Sequence, residues 1–266
     1  MALGGSGVNV RVRLFRAVLL GLVAMGLASR NAAGMAASAS DLDSEVATKP
    51  VFRSDAVVLL HGLARSASSL SQLEGALQKA GYQVLNIDYP SRTAPIAELS
   101  EQAIGRALAD PRVAGSRRVH FVTHSLGGIL VRDYVARHGI ARLGRVVMLG
   151  PPNGGSEVVD RLRDWRLFRT INGPAGQQLG TDIQSVPRTL GPVNFELGVI
   201  AGNQSINWIN SAMIDGPDDG KVSVEHTKVA GMTDHLVLPV THPLMMRDEA
   251  VIAACLRFLA TGHFRE

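Results

Sequence analysis

A single serine between an apolar run and an amphipathic stretch constrains this chain more than any other feature. Residues 118–122 (RVHFV) form the apolar run, residues 123–128 (THSLGG) follow, and apolar side chains then recur at helical spacing. This order predicts a strand, a tight turn and a helix, with Ser125 in a strained turn that pushes its hydroxyl clear of both elements. Neighbours two positions from the serine must be small. Gly127 meets this requirement, whereas Thr123 departs from it.

A second apolar run precedes a loop that can assist such a serine. Residues 55–63 (DAVVLLHGL) are almost continuously apolar up to the His-Gly pair, which is typical of a buried parallel strand running into a loop. If Ser125 attacks a carbonyl group, backbone N–H groups must stabilise the oxyanion. Gly62 permits a close approach, and we expect Leu63 and Leu126 to supply the two N–H groups.

Three aspartates in one loop compete for the role of the acid that orients a catalytic base. They are Asp215, Asp218 and Asp219. We favour Asp219, because an acid just before a glycine at a strand-proximal turn can project towards the sheet edge. Asp218 is expected to stay solvated or to cap the turn. Residues 222–227 are predicted to form the next strand.

Two histidines compete for the role of the base that a serine nucleophile needs. His235 precedes an apolar run that looks packed. His242 is expected in a short loop, and Pro243 after it suits the first turn of the last helix. We therefore favour His242.

These segments together resemble α/β-hydrolases of the lipase and serine-esterase type, close to bacterial class 2 lipase-like esterases. The matching pieces run in family order over residues 55–260; they are residues 61–63, 123–128, 149–156 (LGPPNGGS) and 218–222 (DDGKV), and His242. In the lipases that this chain resembles, the same Asp-Gly-x-Val pattern carries the acid. The resemblance implies cleavage of carboxylic esters through an acyl-serine intermediate, with Ser125 as nucleophile, His242 as base and Asp219 as orienting acid.

Apolar segments alternate with amphipathic segments along most of the chain. This alternation predicts an α/β-hydrolase fold with a mostly parallel sheet and helices on both faces. The pattern breaks between Gly150 and Phe195, so residues of about 151–194 are expected to form a cap or lid. Residues 160–169, rich in arginine and aromatic side chains, are predicted to form an amphipathic cap helix. Three roles are considered for this segment: it covers the acyl pocket as a lid, it contacts a membrane surface, or it is a plain surface helix.

Three side chains are predicted to line the substrate site. His61 is expected to shape the oxyanion loop, His124 flanks Ser125, and Trp165 lies in the cap segment. The expected partner is a small-molecule or lipid ester. The sequence does not define the acyl-chain length or the oligomeric state.

The basic character of the chain is concentrated in its first 39 residues. They carry four arginines and no acidic residue, and without them the formal charge falls from +4 to 0. Binding to nucleic acid therefore has no electrostatic basis. The arginines precede a short apolar stretch and small residues, which predicts a secretory signal peptide over residues 1–39. An uncleaved N-terminal anchor is the alternative. A linker over residues 40–54 and a hydrolase domain over residues 55–266 follow.

Other chemistries lack their sequence signatures. No histidine, cysteine and acidic residues have metal-ligand spacing, and no nucleotide-binding glycine motif is present, so we predict no catalytic metal and no cofactor. A structural Ca²⁺ site at Asp218 or its neighbours is an alternative that the sequence allows. Cys255 is the only cysteine and is expected to be a buried core thiol. Two alternative functions are acyl transfer and thioester cleavage by the same triad. A third alternative is a non-catalytic binding protein with this fold.

We expect the protein to be exported and to begin near Ser40 after cleavage. N-terminal sequencing of protein from the native cell tests this expectation. An intact Met1 in a soluble cytoplasmic fraction would contradict export, whereas an intact Met1 in the membrane fraction would favour the anchor.

Overall fold

Six parallel β-strands form the centre of the computed structural model, in which residues 54–266 are described. The expected leader and most of the linker lie outside the described residues. The strands are β1 (Ala56–Leu60), β2 (Gln83–Ile87), β3 (Val119–His124), β4 (Leu143–Leu149), β5 (Leu197–Gly202) and β6 (Asp234–Leu238). They lie in the order β2-β1-β3-β4-β5-β6, and every pairing among the described strands is parallel. Their carboxyl ends therefore share one edge of the sheet.

Helices connect the strands. They are α1 (Ser71–Lys79), α2 (Ile96–Ser100), α3 (Arg106–Ala109), α4 (Pro111–Ala114), α5 (Leu126–His138), α6 (Glu157–Leu162), α7 (Arg166–Gln177), α8 (Val186–Thr189), α9 (Trp208–Ser211) and α10 (Glu249–Thr261). A π-helical stretch, Glu101–Gly105, joins α2 to α3. Shorter 3-10 turns occur at Ala67–Leu70, Glu225–Thr227 and Met245–Arg247. No helix of the described part of the chain is long and apolar enough to cross a membrane.

Both faces of the sheet are covered by helices. Val58 and Leu60 of β1 pack in one apolar cluster with residues of α2 and α5. Val57 and Leu59 point the other way and pack with residues of α1 and α10. This two-sided burial explains why β1 is apolar at every position, and it confirms the predicted α/β-hydrolase fold. Cys255 of α10 is buried as expected, and burial raises the pKa of its thiol to about 12.

A buried arginine ties helix α5 to the segments that follow β4. The guanidinium of Arg132 donates to the backbone and side-chain oxygens of Asn153 (3.2 and 3.1 Å) and to the carbonyl groups of Pro187 (3.0 Å) and Gly191 (2.7 Å). Burial lowers the pKa of Arg132 to about 10, so the side chain stays cationic at neutral pH. These bonds fasten both ends of the cap segment to α5.

The strand predicted over residues 222–227 is wrong. Asp219 Oδ1 accepts the backbone N–H groups of Lys221 and Val222, both at 2.9 Å. Those donors are then not available for a ladder, and the segment turns into the 3-10 helix Glu225–Thr227. A single bridge between Asp218 and Ser223 is the remaining β pairing in this loop.

Two predicted helix boundaries also differ from the structure. The last helix begins at Glu249 and not at Pro243, because Asp248 caps it by accepting the N–H of Val251 at 3.1 Å. Residues 160–169 belong to two helices and not one, since Trp165 has an extended backbone that separates α6 from α7.

Three histidines are buried at the end of β1 and within β3. They are His61, His120 and His124, and each is at most 3% exposed. Burial lowers the pKa of each imidazole, because the protein displaces the water that would solvate the charged form. His120 Nδ1 accepts the backbone N–H of Arg145 at 2.8 Å. The folded state therefore favours neutral histidine at all three positions.

We expect the free energy of unfolding to fall as the pH is lowered from 7.5 to 5.5. An unfolded histidine has a pKa of about 6.5, and the folded values are lower, so below about pH 6.5 the unfolded chain binds more protons. His226 acts in the opposite sense, because its hydrogen bond with Glu157 raises its pKa. Calorimetric Tm values across this range measure the effect. His120→Asn, which keeps an acceptor but does not titrate, should flatten the dependence. A Tm that rises on acidification would contradict the expectation.

Candidate active site

Ser125 occupies a strained turn at the carboxyl edge of the sheet. It lies between β3 and α5 with φ 51° and ψ −118°, a conformation that side-chain-bearing residues rarely adopt. Such a residue costs about 1–3 kcal/mol and persists only where the surroundings hold it. Here its N–H donates to Leu149 O at 2.8 Å, and its carbonyl accepts from Gly128 N at 3.0 Å. The turn presents the half-buried Ser125 side chain above the strand ends.

The residues flanking the turn meet different steric demands. A Cβ at Gly127 would lie 2.6 Å from the carbonyl oxygen of Leu60, so this position requires glycine. Thr123 belongs to β3 and is fully buried, with Oγ1 3.5 Å from Val147 O. The strand thus accommodates the β-branched residue before the serine, where the sequence departs from the usual pattern.

The Gly62–Leu63 peptide is oriented by two hydrogen bonds. Gly62 O accepts from Arg65 N at 3.2 Å and lies 2.9 Å from His61 Nδ1. In a trans peptide the N–H points opposite to the carbonyl, so the Leu63 N–H is directed away from these two donors. A Cβ at Gly62 would lie 3.2 Å from the Cβ of Ser125. This loop therefore runs directly beside the serine.

Leu126 offers a second N–H beside the first. It is the first residue of α5, where an N–H has no acceptor within the helix. Neither the Leu63 nor the Leu126 N–H has a hydrogen-bond acceptor within residues 54–266. Two uncommitted donors beside Ser125 form a place where an oxyanion can be stabilised.

His61 supports the oxyanion loop from below. Its pKa is lowered by burial, so the neutral ring donates from Nδ1 to Gly62 O, and Nε2 accepts from Tyr89 N at 3.3 Å. The Tyr89 hydroxyl donates to His61 O at 2.6 Å, and the two rings stack with centroids 4.2 Å apart. The structure thus places His61 among residues that shape the loop, with 0% exposure.

His242 and Asp219 form a buried hydrogen-bonded pair at the same edge. His242 Nδ1 lies 2.7 Å from Asp219 Oδ2, and His242 N donates to Asp219 O at 2.9 Å. The other carboxylate oxygen accepts from Lys221 N and Val222 N. The two residues are 7% and 1% exposed. A carboxylate that accepts from Nδ1 leaves Nε2 of the imidazole as the proton acceptor.

The competing acids and base have other partners. Asp218 is buried rather than solvated, and its Oδ1 accepts from Ser211 Oγ (2.8 Å) and Gly220 N (2.7 Å), which caps the turn. Asp215 is exposed. His235 lies in β6, where its Nε2 is 3.0 Å from Thr227 Oγ1. The structure therefore brings together the pair that the sequence analysis favoured.

His124 holds the backbone of His242. It is 2% exposed, and its Nε2 donates to His242 O at 3.0 Å while the two rings lie 4.7 Å apart. Its pKa is lowered far below the usual value by burial and by the neighbouring charge of His242. His124 Nδ1 has no partner in the described part of the chain and lies beside Gly62. The side chain expected to line the substrate site thus also positions His242.

Gly150 joins the serine turn to the His–Asp pair, and the sequence analysis missed its role. It follows Leu149, whose carbonyl accepts from Ser125 N, and it has φ +52°. A Cβ at Gly150 would lie 2.9 Å from Asp219 Oδ2 and 3.0 Å from His242 Nδ1. The one available signal was a glycine directly after an apolar strand, which is common and unspecific.

The segment after β4 clamps the loop that carries the acid. Asn153 Nδ2 donates to Thr227 O (2.8 Å), and Ser156 Oγ donates to Lys221 O (2.7 Å). Gly154 N donates to His226 O at 2.7 Å. These three bonds show that residues 151–156 hold the loop of residues 221–227 in place, a role that the sequence resemblance alone did not indicate.

The cap segment lies over the oxyanion loop. A Cβ at Gly176 in α7 would be 3.0 Å from Leu63 Cδ2, and Gln178 Oε1 accepts from Ile96 N at 2.7 Å. Trp165 is located directly before α7 and is 39% exposed. The second half of α7 therefore lies against the loop that carries Leu63.

Two other features lie outside this arrangement. A cavity of about 640 Å³ opens at the opposite edge of the sheet, where the end of α5 meets the start of β4. None of the predicted catalytic residues lines it. Within residues 54–266, no three histidine, cysteine or acidic side chains cluster as metal ligands. At Asp218, hydrogen bonds to Ser211 and Gly220 already engage Oδ1.

We expect Gly150→Ala to disrupt the His–Asp pair and to lower turnover of an activated ester by about 10²-fold, the cost of a misplaced catalytic group. Proton NMR should also lose the strongly deshielded signal of the His242 Nδ1 proton. Gly139→Ala is the matched control, because Gly139 has φ +68° but open space around it. Equal losses in the two variants would show that backbone strain, and not the contact with the pair, is responsible.

Comparison with known proteins was made at the level of family, sequence and structure. A model of the alpha/beta hydrolase family matches residues 57–196, which is more than half of the chain. A comparison with curated protein sequences found no match. Many solved structures are similar to this one.

Three of these structures illustrate the likeness. Lipase BlEst2 of Bacillus licheniformis, in mature form, has a TM-score of 0.63 at 19% identity, with 77% of this chain and 91% of that chain covered. Phospholipase PlaB of Legionella pneumophila gives 0.64 at 17%, covering 79% and 60%. The metagenomic carboxyl esterase MGS0156 gives 0.55 at 17%, covering 73% and 65%. At these identities the likeness concerns the fold, and together with the family model it shows that this chain belongs to the alpha/beta hydrolase family, as its sequence predicted.

Proposed function

We propose that the protein is a serine hydrolase that cleaves carboxylic esters through an acyl-serine intermediate. One observation carries the proposal: a strained serine with two uncommitted N–H groups beside it shares a sheet edge with a buried His–Asp pair. A serine is a weak nucleophile that needs an adjacent base, and the base needs an acid to fix its tautomer. The residues at this edge supply each of these groups.

The chemical steps follow from these positions. Ser125 Oγ attacks the ester carbonyl carbon while His242 Nε2 takes the hydroxyl proton, and the oxyanion accepts hydrogen bonds from Leu63 N and Leu126 N. His242 then gives the proton to the departing alcohol, which leaves an acyl-Ser125. Water attacks the acyl group by the same route, releasing the carboxylic acid and restoring Ser125. Asp219 stabilises the imidazolium throughout and stays ionised.

The serine and the base must approach each other for the first step. No hydrogen bond joins Ser125 Oγ to His242 within residues 54–266. Catalytic hydrogen bonds are often long in free enzymes and tighten when substrate binds. His242 is held through its backbone by Asp219 and His124, so a small side-chain rotation is the movement that we infer.

The proposed substrate is a small-molecule or lipid ester. The named neighbours are a lipase, a phospholipase and a carboxyl esterase, and their folds support a site that accepts esters. In this chain the cap reaches the oxyanion loop through α7. We therefore propose that residues of α7 contact the acyl group and select among chain lengths.

We expect Ser125→Ala to lower kcat on a 4-nitrophenyl ester by about 10⁶-fold and to abolish labelling by a fluorophosphonate probe. His242→Ala should be similarly inactive, and Asp219→Asn should lose about 10⁴-fold. The matched controls, His235→Ala and Asp218→Asn, should keep most of the activity.

Near wild-type hydrolysis by Ser125→Ala would refute the proposal. An active His242→Ala with an inactive His235→Ala would assign the base to His235 instead. Product analysis with an added alcohol separates hydrolysis from acyl transfer, because the transferase would form the new ester.

A further inference from the structure

Three cationic residues lie close in sequence to the proposed catalytic groups. Arg65 follows Leu63 by two residues, Lys221 follows Asp219 by two, and Arg247 follows His242 by five. All three are exposed. We call these three residues the basic rim.

Backbone hydrogen bonds fix two members of the basic rim to the site. Arg65 N donates to Gly62 O in the oxyanion loop (3.2 Å), and Lys221 N donates to the catalytic carboxylate of Asp219 (2.9 Å). Arg247 ends the 3-10 turn Met245–Arg247 that follows His242. The backbones of Arg65 and Lys221 are therefore held directly against the groups proposed for catalysis.

Arg65 is close enough to both Arg247 and Lys221 for their like charges to interact. The turn Met245–Arg247 packs against the turn Ala67–Leu70, which begins two residues after Arg65. The pKa of Arg65 is lowered by partial burial and by the charge of Arg247. Desolvation lowers the pKa of Lys221; the charge of Asp219 opposes this effect and the charge of Arg65 adds to it. Such clustering of like charge is unfavourable without an anion nearby.

The side chains of the basic rim have no ion-pair partner in the described part of the chain. Within residues 54–266, none of the three cationic groups forms a salt bridge or a side-chain hydrogen bond. The acids adjacent to the rim have other tasks: Asp219 holds His242, Asp88 accepts the N–H of Ala67, and Asp248 caps α10. The positive charge of the rim is therefore not cancelled by an ion pair within residues 54–266.

We infer that the basic rim binds an anionic group of the ester substrate, a carboxylate, phosphate or sulfate within a few atoms of the scissile carbonyl. The inference rests on the proposed function. It deepens that function by naming the substrate class. An anion there would be attracted by three cations and would relieve their mutual repulsion. A small soluble ester is favoured over a lipid surface as the source of the anion, because the cations adjoin the reacting groups.

Two matched pairs of soluble esters test the inference. 4-Nitrophenyl butyrate is compared with mono-4-nitrophenyl glutarate, which carries the anion on the acyl side, and phenyl acetate with 3-acetoxybenzoate, which carries it on the alcohol side. In at least one pair we expect kcat/KM to favour the anionic ester by about tenfold at low ionic strength, falling as salt screens the charges. No preference in either pair would overturn the inference.

Charge-removing variants then assign the preference to the rim. Arg65→Gln, Lys221→Gln and Arg247→Gln should each lower the ratio of anionic to neutral kcat/KM by about two- to fivefold, the effect of one exposed charge pair. Arg118→Gln is the matched control, because Arg118 is exposed at the opposite edge of the sheet. A ratio that no rim variant changes, or that Arg118→Gln changes equally, would overturn the inference.

A binding measurement separates this inference from the proposed function. Calorimetry on Ser125→Ala compares N-(4-nitrophenyl)glutaramic acid with N-(4-nitrophenyl)butyramide, which do not require turnover. Tighter binding of the anionic amide that is lost in the triple rim variant supports the rim even if ester hydrolysis fails. Equal binding overturns it even if hydrolysis succeeds. Loss of binding to phosphatidylglycerol vesicles, with the soluble-ester ratio unchanged, would assign the rim to a lipid surface and overturn the substrate inference.

Discussion

The buried carboxylate of Asp219 is the constraint on which the rest of the site depends. A carboxylate taken out of water must have its oxygens satisfied by donors, or burial is very costly. Here His242 Nδ1 and the N–H groups of Lys221 and Val222 supply them. The residues after Asp219 must turn back towards its carboxylate to donate these bonds, so they do not form the strand that their composition suggests. The clamps from Asn153 and Ser156 then hold the folded loop against the end of β4.

Close packing around this pair limits which side chains the sheet edge can carry. Glycine is required at Gly150, where a Cβ would meet both Asp219 and His242, and at Gly202, where a Cβ would lie 2.9 Å from the Cβ of Asp219. Gly150 also follows the carbonyl that holds the Ser125 turn. The strained turn and the buried pair therefore depend on the same strand end, and a change in one is expected to disturb the other.

The local sequence pattern was sufficient to predict the serine turn, the loop after β1 that lies beside it, and the alternation of strands and helices. Each depends on residues adjacent in sequence: an apolar run, a small residue and a helical repeat. The errors arose where distant residues decide the backbone. The stretch after Asp219 resembles a strand in composition, but that carboxylate captures its donors. The start of the last helix was set by the cap at Asp248 rather than by Pro243. The roles of Gly150 and Tyr89 are set by side chains far along the chain, so no local signal marks them.

The proposed chemistry and the proposed substrate selection depend on different side chains in this fold. The groups proposed for bond cleavage are held by backbone hydrogen bonds at the strand ends, and the surrounding histidines are buried and neutral. Neutral His61 and His124 add no charge at the proposed oxyanion site, so in the proposed mechanism oriented N–H dipoles stabilise the oxyanion and need no reorganisation during the reaction. The side chains of the cap and of the basic rim are not part of that hydrogen-bonded frame, so a substitution there changes contacts or charge without altering the packed sheet. Substrate preference can therefore diverge in this protein while the catalytic geometry stays fixed, because the two properties depend on different and differently packed residues.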